Sequence, residues 1–594
     1  MQKSFLKVAL LLIAVIFLSC KKNTVNSASK GFSIFGTTFF KDRLPIDSVE
    51  IINLNNTNVT TFYRKYNFET VWIDKGQRTF ILNEINSAEN EGLQPKDYNF
   101  QKLQLFENQF DTLSDKRLIE YDLLLTYSVQ DYISHISCGK LNPKNIYKDW
   151  DLKEKVIDVS QILFDCFDKN DFSSIIENTK PNHLLYKQLK ESLQILKKFP
   201  IDTLGVIGLK EKIVINKANK NVILLKHRLL FWGDLQSNDT IFNAVYDKNT
   251  VEAIKIFQVR HGLLSDGIIG RSTIDALNFT KNQRIEQVIA NLERWKWYAH
   301  NFENHYLLIN IPDYKLVAIK NNNITQAQRI VVGKDTRKTP ILESKISNIN
   351  LNPNWTVPPT ILKEDIFPEA EKDKSVFKKK GLKIVNSDGD EVNPAIWTKK
   401  DARKYKYVQK PSYHNSLGVM KINFPNRFSV YLHDTNHRNY FDFWYRSLSS
   451  GCVRLEKPLE MAEYLINDTD KWNLQTIKDT TSIAHYKKLI LKKEIERNKK
   501  LAKQKIEILP DDAAKRKEYI AGLLKNLQLK TIVIPIKEPV YIHQLYWTAW
   551  VTNNKLQFRE DIYCLDHDLY ARLRYEKKSA NKLEGTEKVF FRIN

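Results

Sequence analysis

Part-way along this 594-residue chain the spacing of apolar residues changes from a helical repeat to alternation, and one type of element cannot satisfy both patterns. Before about Leu292 the pattern is helical. Ile81-Leu82-x2-Ile85-x2-Ala88 keeps one apolar face and stops at Gly92, and Gly92-Leu93-x-Pro95-x-Asp97-Tyr98 reads as a helix end and turn. Leu225-x3-Leu229-Leu230 and Val251-x2-Ile254-x2-Phe257-Gln258 are two further helix faces. The Gly-rich connection His261-Gly262-Leu263-x2-Asp266-Gly267-x2-Gly270 leads from them to a third short helix at Thr273-Ile274-x2-Leu277. Beyond Leu292, Tyr306 to Ile311 and Leu316 to Ile319 alternate around Pro312-Asp313-Tyr314, as two strands joined by a turn would, and Arg329 to Lys334 reads as another strand. Many short strands punctuated by Gly and Pro predict a β-sandwich-like sheet rather than βαβ units. The chain is too long for one core, so three or four domains in an α+β multidomain arrangement are expected.

With 42% hydrophobic and 11% aromatic residues, the composition excludes general disorder. The net charge of +23 favours an acidic partner: nucleic acid, anionic lipid or a carboxylate-rich polymer. No nucleic-acid recognition module is visible, and the N-terminus argues against that partner. Met1-Gln-Lys3-Ser-Phe-Leu-Lys7, the apolar run Val8 to Leu18 and Ser19-Cys20 describe a secretory signal over residues 1–19, with a core too short for a comfortable membrane span. Cys20 after Phe17-Leu-Ser19 resembles a bacterial lipoprotein processing box, although Phe17 and Leu18 depart from its commonest residues. Cleavage before Cys20 and lipidation of its thiol are expected, with an ordinary signal peptide or an uncleaved anchor as alternatives. The polar, Ser-rich start of residues 20–46 suits a tether. Cys138, Cys166, Cys452 and Cys564 then remain, too few for a disulfide framework, and a pairing of Cys138 with Cys166 stays open.

The chemistry concentrates in Tyr431-Leu-His433-Asp434-Thr435 and in Ser449-Ser450-Gly451-Cys452-Val453-Arg454-Leu455, whose cysteine lies nineteen residues after the histidine. His433 closes the run Phe428-Ser-Val430-Tyr-Leu432, which reads as a strand aimed at a rim. Ser450-Gly451 permits a tight turn beside Cys452, so that main-chain N–H groups can face a developing oxyanion. Arg454 adds charge that favours a thiolate or holds a carboxylate. A cysteine needs a nearby base or cation to be a good nucleophile at neutral pH, and His433 supplies either. A zinc site through His433-x3-His437 is disfavoured, because that spacing works on a helix and here follows a strand. No metal or other cofactor is expected.

His433-Asp-Thr followed by Ser-Ser450-Gly-Cys452-Val-Arg454 resembles the signature of the YkuD-type L,D-transpeptidase catalytic domain. Asn352-Pro-Asn-Trp355-Thr-Val-Pro358-Pro359-Thr360, Asp365-Ile366-Phe-Pro368 and Asn415-Ser-Leu-Gly418 resemble the longer, YcbB-type branch of that family. Residues 221–278 are similar to a small three-helix peptidoglycan-binding domain, and residues 47–210 to the helical scaffold domain of that branch. The resemblance implies a β-rich catalytic domain over 292–475 with a capping insertion at 365–409, resumed by closing strands over 531–575. Val540 to Trp550 is expected as one such strand, continued by Phe558 to Tyr563. A Lys-rich stretch at 486–530 departs from the pattern and reads as an extra helical pair with a solvated face, or a wall or membrane contact.

The family further implies exported 3→3 cross-linking of peptidoglycan stems. Cys452 would be the nucleophile and His433 the general acid/base, with Ser450, Gly451 and Arg454 as oxyanion or substrate-binding residues; for Arg454, support of the loop is the alternative to holding a substrate carboxylate. Asp434 or a backbone carbonyl would orient His433, Asn415 and Gly418 are turn residues near the groove, and Tyr431 is packing. Partners would be stem peptides and glycan, a membrane through Cys20, and no nucleic acid. The alternatives are an L,D-carboxypeptidase or amidase using the same pair, and a noncatalytic wall-binding lipoprotein.

Overall fold

The structure, a computed structural model, describes residues 33–34, 37–38, 43–208, 213–238, 241–298, 301–504 and 510–575. The signal segment, Cys20 and most of the tether lie outside these residues, and among them no helix is long and apolar enough to cross a membrane. They form two compact units, one of residues up to 85 together with 99–130, the other of 86–98 together with 131–575. The class is the α+β multidomain one that the change of period predicts.

The first unit is helical and closes around a buried acid. Asp122, on the helix Asp115–Cys138, accepts hydrogen bonds from the Tyr63 hydroxyl at 2.5 Å and from the amides of Val71 and Trp72 at 2.9 and 2.8 Å. Burial pushes its pKa up to about 6, and these donors oppose the shift. Phe62, Tyr63 and Trp72 are core residues.

In the second unit, helices Asn221–Phe231, Lys248–Arg260 and Arg271–Leu277 share a small core of Leu225, Leu229, Ile254, Phe257 and Leu277. The helix Lys281–Trp297 leads from them into the main sheet, opened by a capping box between Thr280 and Gln283.

Twelve strands form that sheet: β1 (Trp150–Asp151), β2 (His305–Asn310), β3 (Lys315–Lys320), β4 (Asn323–Gly333), β5 (Ile341–Lys345), β6 (Asn348–Leu351), β7 (Met420–Asn423), β8 (Leu432–His433), β9 (Ser447–Ser449), β10 (Val453–Leu455), β11 (Ile532–Pro535) and β12 (Tyr541–Leu545). Their order is β11-β6-β7-β8-β10-β4-β3-β2-β12-β5-β1, with β9 added to β4. The β2–β3 turn and the Asn321-Asn322 turn, with φ of +51° and +63°, make the meander that the alternating pattern predicts.

The sheet is not built from antiparallel hairpins alone. All twelve strands share one sheet, and β8–β10, β9–β4, β12–β2 and β1–β5 are parallel pairs. Parallel neighbours need long crossovers, and the loop from Asp434 to Cys452 is one of them.

Two expected strands are shorter than their apolar runs. Phe428–Leu432 contributes only Leu432, because the Asn426 side chain accepts from the amides of Phe428 and Val430, both at 3.1 Å, and Ser429 sits at φ +55°. Val540–Trp550 breaks after Leu545, where Asn310 accepts from the Trp547 amide at 2.9 Å and Asn291 from the Thr548 amide at 3.0 Å. Side-chain amides there replace the ladder. The chain then starts a separate hairpin, Ala549–Thr552 with Lys555–Phe558.

The stretch expected to cap the groove belongs to a larger body with its own core. Short strands Glu391–Val392, Lys383–Val385, Lys406–Gln409 and Trp355–Thr356 form a four-stranded sheet over Phe377, Ile384, Trp397 and Tyr407. This body therefore begins near Trp355, because the strand there pairs with Val408 and Gln409. The Lys-rich stretch forms two helices, Ile483–Lys503 and Pro510–Asn526. Asn352 joins the chain before and after them, donating to the carbonyls of Thr480 at 3.0 Å and Lys530 at 3.3 Å.

Candidate active site

Register brings the chemistry together. In the parallel pair β8–β10, His433 is aligned with Arg454, and in the antiparallel pair β7–β8 it is aligned with Lys421. Aligned residues of neighbouring strands share a face, as do residues two apart along one strand. Lys421, His433 and Arg454 therefore project from the same side of the sheet, with Tyr431 and Cys452 just before β8 and β10. Tyr431, His433, Ser450, Gly451, Cys452 and Arg454 line one cavity of about 1250 Å³, which Ile361, Asp365 and Lys378–Leu382 of the smaller body line as well.

His433 is buried, and its Nδ1–H donates to the backbone carbonyl of Asp434. That bond fixes the tautomer and leaves Nε2 as the basic nitrogen. The carboxylate of Asp434 serves another purpose, accepting from the Val419 amide at 2.9 Å and from Arg438 at 2.8 Å. Of the two orienting groups the sequence left open, the carbonyl is the one in contact. Burial, followed by the charge of Arg454, pushes His433 down to about 3. Burial also pushes the Cys452 thiol up, opposed by hydrogen bonding at Tyr431 and by the charges of Arg454 and Lys421. At neutral pH the free site therefore holds a thiol beside a neutral imidazole.

Neither the Arg454 guanidinium nor the Lys421 ammonium has a carboxylate partner among the described residues. Arg454 donates to Thr435 Oγ1 at 3.3 Å and lies 5.5 Å from the Tyr440 ring centre, while its buried Nε has no acceptor. The Lys421 ammonium lies 3.9 Å from the Tyr431 ring centre, so Tyr431 does more than pack. His437 stacks flat on Tyr440 at 5.0 Å, and among the described residues no three His, Cys, Asp or Glu side chains converge as metal ligands would. Cys138, Cys166, Cys452 and Cys564 are all free, so Cys138 and Cys166 are not paired.

The turn before Cys452 is held from several sides. Gly451 has φ +109°, and its amide donates to Ser449 Oγ at 3.2 Å. Thr339 Oγ1 donates to the Gly451 carbonyl at 2.9 Å, and Arg337 donates to Ser450 Oγ at 3.0 Å. Nearby, Asn415 donates to the carbonyls of Pro353 and Lys410, both at 3.1 Å, and accepts from the Leu417 amide, joining the smaller body to β7. Gly418 has φ +59°, and a Cβ there would fall 2.1 Å from Asp434 Oδ2.

Cys452, His433, Ser450, Gly451 and Arg454, singled out from the sequence, line this cavity together, and Lys421, Arg337 and Thr339 beside them were not singled out. Lys421 was reachable only by counting the β7–β8 register through the Asn426 turn. Arg337 and Thr339 carry no local signal.

Comparison with known proteins agrees with this organisation. A scaffold domain profile matches residues 57–193, the L,D-transpeptidase catalytic domain matches residues 304–478, and a domain described as "Putative peptidoglycan binding domain" matches residues 218–277. A Haemophilus influenzae protein described as "Putative L,D-transpeptidase" is 32% identical over 247 residues, covering 39% of this chain and 50% of that protein. The chain thus spans about half the length of this curated relative. A crystal structure of an L,D-transpeptidase from Xylanimonas cellulosilytica is 13% identical, with a TM-score of 0.15, covering 44% of this chain and 93% of that one. One from Stackebrandtia nassauensis is 16% identical, with a TM-score of 0.19, covering 42% and 87%.

Proposed function

We propose that this chain, which carries an L,D-transpeptidase catalytic domain beside peptidoglycan-binding and scaffold domains, forms 3→3 cross-links in peptidoglycan outside the cytoplasm, tethered through a lipid on Cys20. The observation that carries this reading is the parallel pairing of β8 with β10, which aligns His433 with Arg454 beside Cys452 on the floor of a cavity.

In this mechanism His433 Nε2 takes the thiol proton as Cys452 Sγ attacks the carbonyl carbon of the third residue in a tetrapeptide stem. The oxyanion is held by main-chain N–H groups of the Ser450–Cys452 turn. The Cys452 amide is the principal donor, because that of Gly451 is already bonded to Ser449. The C–N bond to D-alanine breaks, the proton passes from His433 to the leaving amine, and a thioester remains. The side-chain amine of a diamino acid on a second stem then attacks the thioester and gives its proton to His433, which returns it to Cys452. Arg454, a cation without an acid, holds a carboxylate of the donor stem.

The test is incubation of the purified protein with tetrapeptide muropeptides, followed by separation of the products. Wild type is expected to give 3→3 dimers, and Cys452→Ala to give none while keeping its fold. Unchanged dimer formation in the variant would overturn the mechanism. Tripeptide without dimers from wild type would assign the thioester to water and make the protein a carboxypeptidase.

A further inference from the structure

One arginine touches both walls of the cavity. Arg337 lies on the loop between β4 and β5, and its guanidinium reaches three acceptors on two bodies. Its Nη1 and Nη2 donate to the two oxygens of Asp365, both at 2.7 Å, and Nε and Nη2 donate to Glu364 Oε2 at 2.9 and 2.6 Å. Nη1 also donates to Ser450 Oγ at 3.0 Å, two residues before Cys452. Adjacent side chains of a regular helix diverge. Glu364 and Asp365 share one guanidinium in a π-helical turn, Leu362–Ile366, a geometry concentrated at functional sites.

The arginine is the buried end of this contact. Its side chain is 9% exposed, against 51% for Glu364 and 38% for Asp365. Its loop is bound to the cysteine turn a second time, because Thr339 Oγ1 donates to the Gly451 carbonyl at 2.9 Å and accepts from the Gly333 amide at 2.8 Å, while the Thr339 amide donates to the Tyr563 hydroxyl at 3.0 Å. Lys334 adds a main-chain bond to the Ser449 carbonyl at 3.0 Å. The loop is thus hydrogen-bonded to Ser449–Gly451 through Thr339, Lys334 and Arg337, and ion-paired to the smaller body through Arg337 alone.

We propose that Arg337 is a positioning residue that couples the seating of the 355–409 body to the geometry of the Ser450–Cys452 turn. With both acids engaged, the guanidinium is held where it fixes Ser450. When the body lifts, the guanidinium loses its fork partners, and the turn that presents the Cys452 sulfur and amide loosens. The reactive arrangement is then complete only when the groove is covered. This inference rests on Cys452 being the nucleophile, but not on whether an amine or water ends the reaction.

The test uses the full chain with Glu364→Gln and Asp365→Asn combined, which leaves Arg337 and everything that touches Ser450 in place. Hydrogen exchange of the 447–453 amides is expected to quicken on the order of threefold, as loss of a partly exposed ion pair allows. The rate of Cys452 alkylation by iodoacetamide should shift with it, although neither acid touches that segment. Arg337→Ala should give the same signature, and Arg337→Lys an intermediate one, because an ammonium cannot fork to a carboxylate. Faster exchange confined to 359–382, with 447–453 and the alkylation rate unchanged, would overturn the coupling. Absence of dimers from wild-type protein overturns the transpeptidase reading instead and leaves both of these readouts intact.

Discussion

Lys421 stands opposite His433 across adjacent antiparallel strands, with its ammonium 3.9 Å from the centre of the Tyr431 ring. Burial holds its pKa below the ordinary lysine value, and its charge favours the Cys452 thiolate. Together with Arg454 it supplies the positive field that a neutral His433 cannot.

Removing that field has a measurable cost. Lys421→Met is expected to raise the Cys452 thiol pKa by roughly one unit, as loss of a nearby opposite charge does. Lys421→Arg should restore most of the difference. The pH dependence of iodoacetamide alkylation measures this directly, and a profile unmoved in Lys421→Met would remove the residue from the thiol's electrostatics.

Acid sensitivity follows from His433. The unfolded chain takes up its proton near 6.5, whereas the folded site resists protonation down to about 3. The folded state therefore binds fewer protons between these values. Its contribution to stability is fully present above about 6.5 and is lost as pH falls toward 3. His433→Gln should lose about 2–3 kcal/mol less stability than wild type between pH 7.5 and 4.5, measured by urea unfolding at both pH values. Buried His261 contributes in the same direction and is common to both proteins, so the difference isolates His433.

Gly418 is fixed by its backbone and by what faces it. A Cβ at φ +59° would press on the Asp434 carboxylate at 2.1 Å. Gly418→Ala is expected to destabilise by about 2–4 kcal/mol. In an Asp434→Ala background only the left-handed strain remains, and the penalty should fall to about 1 kcal/mol. Equal penalties in the two backgrounds, read from thermal unfolding, would show that the carboxylate is not what the methyl meets.

Cys452, His433 and Arg454 were legible in the sequence because their chemistry is written in short runs on strands that the structure makes neighbours. The three helices around Gln258 and the β2–β3 meander were legible for the same reason, since their periodicity is local. What escaped was made by long-range pairing. The apolar runs at Phe428–Leu432 and Val540–Trp550 look continuous, yet Asn426, Asn291 and Asn310 take their amides out of the ladder. Asn426 competes from two residues before its run, whereas nothing in the second run reports Asn291 and Asn310, more than two hundred residues away. The 355–409 body was placed too late for a similar reason, because its first strand is defined only by pairing with Val408 and Gln409. Lys421 and Arg337 became site residues through register and ion pairing, neither of which has a motif.

Asn352 has a different kind of consequence. By holding the carbonyls of Thr480 and Lys530 with one amide, it keeps the two ends of the Lys-rich helical pair together whatever lies between them. Once the ends are fixed, the entropy of the intervening loop changes slowly, by about 0.6 kcal/mol for each doubling of its length. The length of the segment between these ends therefore bears only weakly on the register of β6 and β11, which Asn352 holds from outside it.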